Sequence, residues 1–384
     1  MANKKLKVGK VPNLRFPEFN EEWGVNELNE LGEFLGGGTP SSSNEDFWRG
    51  SIPWVSSSDL SEGDINSVNI SRFITEDAIS NSATKLCSAP LILIVSRVGV
   101  GKVAYSEKSL CTSQDFLNII NFKCNGIFLS YVLSTEMKKA ASAGQGTSIK
   151  GISSVEIKSK KLYIPQRNEQ EKIAAFLSLI DTRIQTQNKI IEQLETLIQE
   201  LRIQIFKRKR RFTDIHGRDF SDWKKVRIGD ILKIGNGKDY KHLQSGEVPV
   251  FGTGGFMTLV NDYLYDGETV CIGRKGTIDK PMYHEGKLWT VDTLFYTHSF
   301  QSCIPKFIFH LFQTINWLEY NEASGVPSLS KTTIEKIGLQ IPSIEEQKRI
   351  ASFFNKIDHK IQTEKAILEQ LERQKKYLLK QMFV

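Results

Sequence analysis

The sequence predicts an α+β fold: two mixed α/β domains separated by two long helices, which pair as an antiparallel coiled coil in a pseudo-twofold repeat. Three observations carry that prediction. The chain contains one segment twice, since residues 164–206 and 341–383 align without a gap and 20 of the 43 positions are identical. A repeat of about 180 residues is too long for a solenoid unit and implies duplication of a whole domain plus helix. Each copy of the segment carries a heptad seam, the pattern of a helix that pairs with another helix. Upstream of each copy the chain turns to short β-rich runs broken by glycine and serine clusters, the pattern of a compact mixed domain.

Residues 1–22 read as a polar, Pro-containing arm. Residues 23–163 form the first mixed domain, with strand candidates at Leu91–Val95 and Phe116–Ile120 and a Gly/Ser cluster at Gly36–Ser41. The first repeated helix occupies 164–206. Its seam runs through Ile173, Leu177, Ile180, Ile184, Ile191, Leu194, Ile198, Leu201 and Ile205, interrupted by Gln187. A basic run, Lys207–Arg211, opens a linker over 207–222. The second mixed domain spans 223–340, with strand candidates at Thr269–Ile272 and Leu294–Thr297. The second helix occupies 341–384. Its seam uses Ile350, Phe354, Ile357, Ile361, Leu368, Leu371, Leu378 and Met382, interrupted by Glu364 and Lys375. Pro165 and Pro342 suit a chain entering a first helical turn. An antiparallel pairing brings Gln187 near Glu364, where a buried polar pair can set register. Ile184, Ile191 and Leu194 on one helix, and Ile361, Leu368 and Leu371 on the other, are the expected pairing residues around it.

The two mixed domains echo each other more faintly. Trp23 and Trp223 each follow an acidic residue and precede a Gly-rich turn, Gly36–Gly38 or Gly235–Gly237. The turn Arg97-Val98-Gly99 resembles Arg274-Lys275-Gly276, and Asp115 and Asp292 follow at equal distances. Persistent turn residues with differing residues between them fit one scaffold that presents two different surfaces.

Composition excludes several classes. The 384 residues are 40% hydrophobic and 25% charged, with formal net charge +7, a modest excess compatible with an acidic partner. The longest apolar run, Ala89–Val95, is too short to span a bilayer, so no membrane partner is expected. The N-terminus is basic without a signal-peptide core. The five scattered cysteines show no metal-ligand spacing, which points to a reducing cytoplasm. No cofactor is expected. The chain has no P-loop and no nucleophile elbow, and no Asn/Asp-Pro-Pro-aromatic loop of an amino-methylating DNA methyltransferase. Phe251–Gly255 reads as a Gly-rich turn rather than a cofactor loop. Glu156-Ile157-Lys158 matches the tail of a nuclease motif without its Pro-Asp partner and reads as a solvated strand.

The phrase Ile-Pro-x-x-x-Glu-Gln-x-x-Ile-Ala-x-Phe, then Ile-Asp-x-x-Ile, then a heptad helix, occurs twice and separates two variable segments. With the Gly37–Pro40 turn and the two Arg-x-Gly turns, this resembles the specificity subunit of type I restriction–modification enzymes. The resemblance implies that each variable segment is a target recognition domain reading one half of a split, asymmetric site in double-stranded DNA. It implies that the helices hold the two domains at a fixed spacing and dock two methyltransferase subunits, that motor–nuclease subunits join this core, and that the chain itself is not an enzyme. The alternative is a DNA-modifying enzyme with an unrecognised active site.

Candidate DNA contacts are Arg97 with Lys102, and Arg274 with Lys275, in Gly-flanked turns that let a backbone approach a phosphate. An arginine there can bond bidentately to a guanine edge; the competing reading pairs it with a nearby carboxylate. Ser148, Lys150 and Lys331 are candidate phosphate contacts, and Lys207–Arg211 could follow the phosphate backbone. Gln114 and Asn118 are candidates for reading adenine.

Overall fold

The computed structural model describes residues 11–143 and 151–384. The chain divides into two compact units, one joining the chain up to Asn188 with Ala366–Val384, the other spanning Lys189–Lys365. Each unit therefore owns part of both long helices, Arg167–Phe206 and Ile344–Gln381.

In the first unit, strand Gly24–Glu27 pairs antiparallel with Lys161–Ile164, so the two ends of the domain close on each other. Between them lies a four-stranded sheet in the order Glu33–Gly36, Phe116–Ile120, Leu91–Val95, Val103–Ser106. All five residues of Leu91–Val95 are buried, which is why this run shows no polar alternation. A smaller sheet pairs Ile52–Val55 antiparallel with Arg72–Ile74 and parallel with Cys111–Thr112. Ile92, Ile94 and Ile119 pack with Phe128 and Leu133 of helix Gly126–Ala143, and with Ile173, Leu177, Ile180, Leu378 and Met382 of the long helices.

The second unit repeats this plan. Lys224–Arg227 pairs with Gly338–Ile341. Its four-stranded sheet has the same order: Lys233–Asn236, Leu294–His298, Thr269–Gly273, Met282–His284. The smaller sheet again combines an antiparallel pair, Val248–Gly252 with Gly255–Val260, and a parallel pair, Val248–Gly252 with Lys287–Thr290. Its core joins Val270, Ile272 and Phe307 to Ile198, Ile205, Ile350, Phe354 and Ile361. Glu195 meets Lys365 at 2.6 Å and Arg202 meets Asp358 at 3.5 Å. Contact positions rise along one helix as they fall along the other, so the segments run antiparallel.

The Glu-Gln of the repeated phrase explains itself here. Glu169 accepts two bonds from the Arg15 guanidinium, both 2.7 Å, and one from Trp23 Nε1 at 3.3 Å. Glu346 accepts from Arg211 at 3.3 and 2.8 Å. Each glutamate thus clamps the segment that leads into its own domain. Gln170 accepts from Asn125 N and donates to Pro165 O, both at 2.8 Å; Gln347 accepts from Ile304 N and donates to Pro342 O, both at 3.0 Å. One amide therefore satisfies a carbonyl at its own helix start and an amide N–H leading into the domain helix, groups that would otherwise be buried unpaired.

The tripeptide Glu156-Ile157-Lys158, expected as strand, lies in the helix Ser154–Lys158. Ser153 caps it by accepting from Glu156 N, and Ile157 is buried. A cap of this kind fixes the first turn and outweighs the β preference of a short run.

Candidate nucleic-acid interface

At one end of each four-stranded sheet, three loops meet. In the first unit Gly38 N donates to Thr112 O at 2.8 Å, and Trp54 Nε1 donates to Gly38 O at 3.0 Å. A Cβ at Gly37 would lie 2.0 Å from Ser113 O, so only glycine fits. Thr39 donates to the Gln114 side-chain carbonyl. Ser96 N and Oγ both donate to Asp115 O, at 2.8 and 2.9 Å, and Ile152 N donates to Ser96 O at 2.7 Å. These bonds hold the Arg97 turn against the Gln114 turn. Gly99, at φ +87°, lets the chain reverse after Arg97.

The second unit builds the same junction from other residues. A Cβ at Gly237 would lie 1.9 Å from Val291 O. Lys238 N donates to Thr290 O at 2.8 Å, and Trp289 Nε1 donates to Lys238 O at 2.8 Å. Arg274 N donates to Thr293 O at 2.8 Å and its Nη1 to Asp292 O at 3.3 Å. Gly276 N donates to Pro327 O, and Leu329 N to Arg274 O, at 2.8 and 2.9 Å. Gly276 takes φ +94°.

The structure thus gathers several residues singled out in the sequence. Arg97 and Gln114 share one exposed edge. Lys102 belongs to the Arg97 turn, with its Nζ on Ser57 O at 2.9 Å. Arg274 and Lys275 are exposed on the second edge. Lys331 opens the helix Lys331–Lys336 just after the loop that pairs with Arg274, and meets Glu335 at 3.7 Å. His298 sits below the usual histidine range, through partial burial and then the charges of Lys331 and Lys233. Ser148 and Lys150 lie outside the described residues. Of the basic run, Arg211 is committed to Glu346, while Lys207–Arg210 are exposed.

A second expectation is corrected. Asn118 is fully buried and donates to Thr112 Oγ1 at 2.8 Å and toward Cys87 Sγ at 3.4 Å. Its amide serves the core between two sheets and faces no base. Exposed Lys238, beside Arg274 through the Asp292 turn, was not singled out; its position directly after Gly237 is the signal that could have found it.

In the helices, Gln187, Ile191, Ile361 and Glu364 are buried, and Ile184, Leu194, Leu368 and Leu371 are half-buried. Lys375, an interruption of the seam, ion-pairs with buried Asp181 at 2.6 Å and donates to Gly63 O at 2.7 Å. Tyr131 OH also donates to Asp181, at 2.7 Å. In the second unit Arg202 stands 3.3 Å from His310 Nδ1, and Asn355 3.2 Å from its Nε2. Burial, then the Arg202 charge, lowers His310 to about 3. All five cysteines are free and buried, and burial pushes the Cys271 thiol up to about 12, far from a reactive thiolate. No helix among the described residues is long and apolar enough to cross a membrane.

Two stretches, residues 20–196 and 220–373, match the family of the type I restriction modification DNA specificity domain. The chain is 29% identical over 253 residues to the type I restriction enzyme MjaIX specificity subunit of Methanocaldococcus jannaschii, covering 62% of this chain and 56% of that protein. It is 34% identical over 180 residues to the EcoR124I/EcoR124II specificity subunit of Escherichia coli, covering 44% of this chain and 43% of that one. The chain therefore spans about half the length of these two relatives. Its fold is similar to the S subunit of a type I restriction-modification system from M. genitalium, with TM-score 0.64 at 18% identity, over 97% of this chain and 99% of that one.

Proposed function

We propose that this chain, which belongs to the family of type I restriction modification DNA specificity domains, is the non-catalytic subunit that reads DNA sequence for a type I restriction–modification complex in the cytoplasm. The observation that carries this is the duplicated junction: the same three loops meet at the end of the same four-stranded sheet in both units, with different exposed side chains. One scaffold with two surfaces suits a bipartite, asymmetric site. Residues 23–163 and 223–340 are the two reading domains, joined by the 207–222 linker and followed by the helices of 164–206 and 341–384, with 1–22 as an arm.

In this reading Arg97 and Arg274 approach base edges in the major groove. A guanidinium can bond both acceptors of a guanine at once, which separates it from other bases by about 1–3 kcal/mol. Gln114 presents donor and acceptor to an adenine. Lys102, Ser148 and Lys150 on one side, and Lys275 and Lys331 on the other, bind phosphate and set the register, so their contribution falls with salt. The helices fix the half-site spacing, with Gln187 and Glu364 setting the register of the coil among Ile184, Ile191, Leu194, Ile361, Leu368 and Leu371. They also dock two methyltransferase subunits, to which motor–nuclease subunits attach. The chain itself needs only rigid turns, because the chemistry belongs to its partners.

Methylome sequencing of cells expressing the chain with its methyltransferase tests the proposal. The expected motif has two unlike halves whose centres lie about one helical turn, roughly 34 Å, apart. A continuous palindromic motif, or methylation by the purified chain alone, contradicts it.

A further inference from the structure

The two units differ where the edge strand of the four-stranded sheet faces the long helices. In the first unit, the connection between Ile52–Val55 and Arg72–Ile74 is a loop, residues 56–71, that folds into this space. Ile65 is buried there, and its carbonyl accepts from Tyr105 N at 2.7 Å. Asn66 donates to Asp181 at 3.1 Å, and Gly63 O accepts from Lys375. The loop thus supplies a carbonyl to the edge strand, a carbonyl and an amide to the Lys375 and Asp181 cluster on the helices, and the aliphatic Ile65 to the core.

In the second unit the corresponding strands, Val248–Gly252 and Gly255–Val260, are joined by Thr253 and Gly254 alone. The corresponding space is a groove of about 940 Å³. The correspondence follows from register: Tyr105 faces Ile92 as Tyr283 faces Val270, both on edge strands. Asp358 is the repeat counterpart of Asp181, and His310 stands beside it as Tyr131 stands beside Asp181. Ile198, Phe309, Ile361 and Tyr283 line the groove, with Arg202 in its wall. The Arg202 side chain is 5% exposed, and its Nε has no hydrogen-bond partner among the described residues. A buried guanidinium N–H left without an acceptor keeps its desolvation cost uncompensated.

We propose that this groove receives a loop of a partner protein. The occupant would be an aliphatic residue flanked by a carbonyl, carboxamide or carboxylate oxygen, supplying from outside what residues 56–71 supply within the first unit. The aliphatic group packs against the half-buried Tyr283 and Phe309, and the oxygen accepts from Arg202 Nε. This rests on the reading that the chain assembles with methyltransferase subunits, and it deepens it: the two docking positions are unlike, because one unit fills its own groove and the other leaves it for a subunit.

The test uses the full-length chain with a compact diazirine amino acid in place of Gln362, an exposed residue at the groove. It is assembled with its methyltransferase subunits and DNA, and assembly is scored by native mass spectrometry before illumination. The expected result is a crosslink to one loop of a methyltransferase subunit. Obstruction by Gln199→Trp, also exposed at the groove, should weaken assembly at least tenfold. A complex that forms without that crosslink and tolerates Gln199→Trp overturns the groove proposal and leaves the functional reading standing. Crosslinks to DNA or to a second copy of the chain also overturn it, and failure of the subunits to assemble at all overturns both.

Discussion

Asp181 in the first unit and Asp358 in the second hold the same place in the repeat, yet their surroundings diverge. Asp181, 3% exposed at its side chain, meets Lys375, Tyr131 and Asn66. Asp358 is 32% exposed and has a longer, 3.5 Å contact with Arg202. Burial holds the Asp358 carboxyl above the usual range while Arg202 pulls the other way, and burial likewise lowers Arg202. The first unit has closed its cluster around a strong pair, whereas the second has left a weak one open. Duplication has therefore conserved the clamps that attach each domain to the helices, while the space beside the clamps has diverged.

The comparison breaks most sharply at Lys375. Lys375→Met strands the Asp181 carboxylate in the core, and should cost about 3–5 kcal/mol in urea unfolding. Arg202→Met replaces a poorly satisfied buried cation with an apolar side chain and leaves Asp358, 32% exposed, in reach of water, so it should change stability by about 1 kcal/mol or less. Equal losses would show that the two clusters do the same job.

The clamps should rank next. Glu169→Ala loses the Arg15 pair and the Trp23 bond, and should cost about 3 kcal/mol; Glu346→Ala should cost about 2 kcal/mol. In the second unit the buried Trp223 Nε1 has no hydrogen-bond partner among the described residues, so the glutamate there holds one group fewer. Thermal unfolding of both variants ranks them, and a larger loss at Glu346 would reverse the order.

A smaller effect separates the units by pH. His310 is fully buried and lowered to about 3 from an ordinary 6.5. Between those values the unfolded chain binds a proton that the folded chain does not, so stability is full above about pH 6.5 and falls as pH drops. The slope is roughly 1.4 kcal/mol per pH unit. Protonation of Asp358, whose range is raised, offsets part of the loss at lower pH. The first unit has Tyr131 at this place and no such dependence. Stability curves at pH 7 and 5.5 should show the loss in the whole chain and a much smaller one in His310→Gln, the remainder belonging to His298, which is also lowered; an unchanged slope would remove His310 as the main source.

The helices and the repeat were legible in the sequence because heptad periodicity is local, and Leu91–Val95 was legible because a strand buried on both faces is apolar throughout. The Glu156–Lys158 misreading traces to a local cap, Ser153, and the others to partners distant in sequence. Asn118 resembles a base reader until Thr112 and Cys87 close around it. Lys375 resembles a fault in the seam until Asp181 meets it from the other helix. At the loop junction beyond each four-stranded sheet, Gly37 and Gly237 were visible as turns, but which side chains those turns expose depends on the sheet beneath them.

The central claim is that two turns built alike read different halves of one site. Methylome sequencing with Arg97→Ala and, separately, Arg274→Ala tests it most directly. Each substitution should relax the motif by about 1–3 kcal/mol at one position, in one half only, and the two should affect opposite halves. Relaxation of the same half by both, or an unchanged motif with either, would contradict the account.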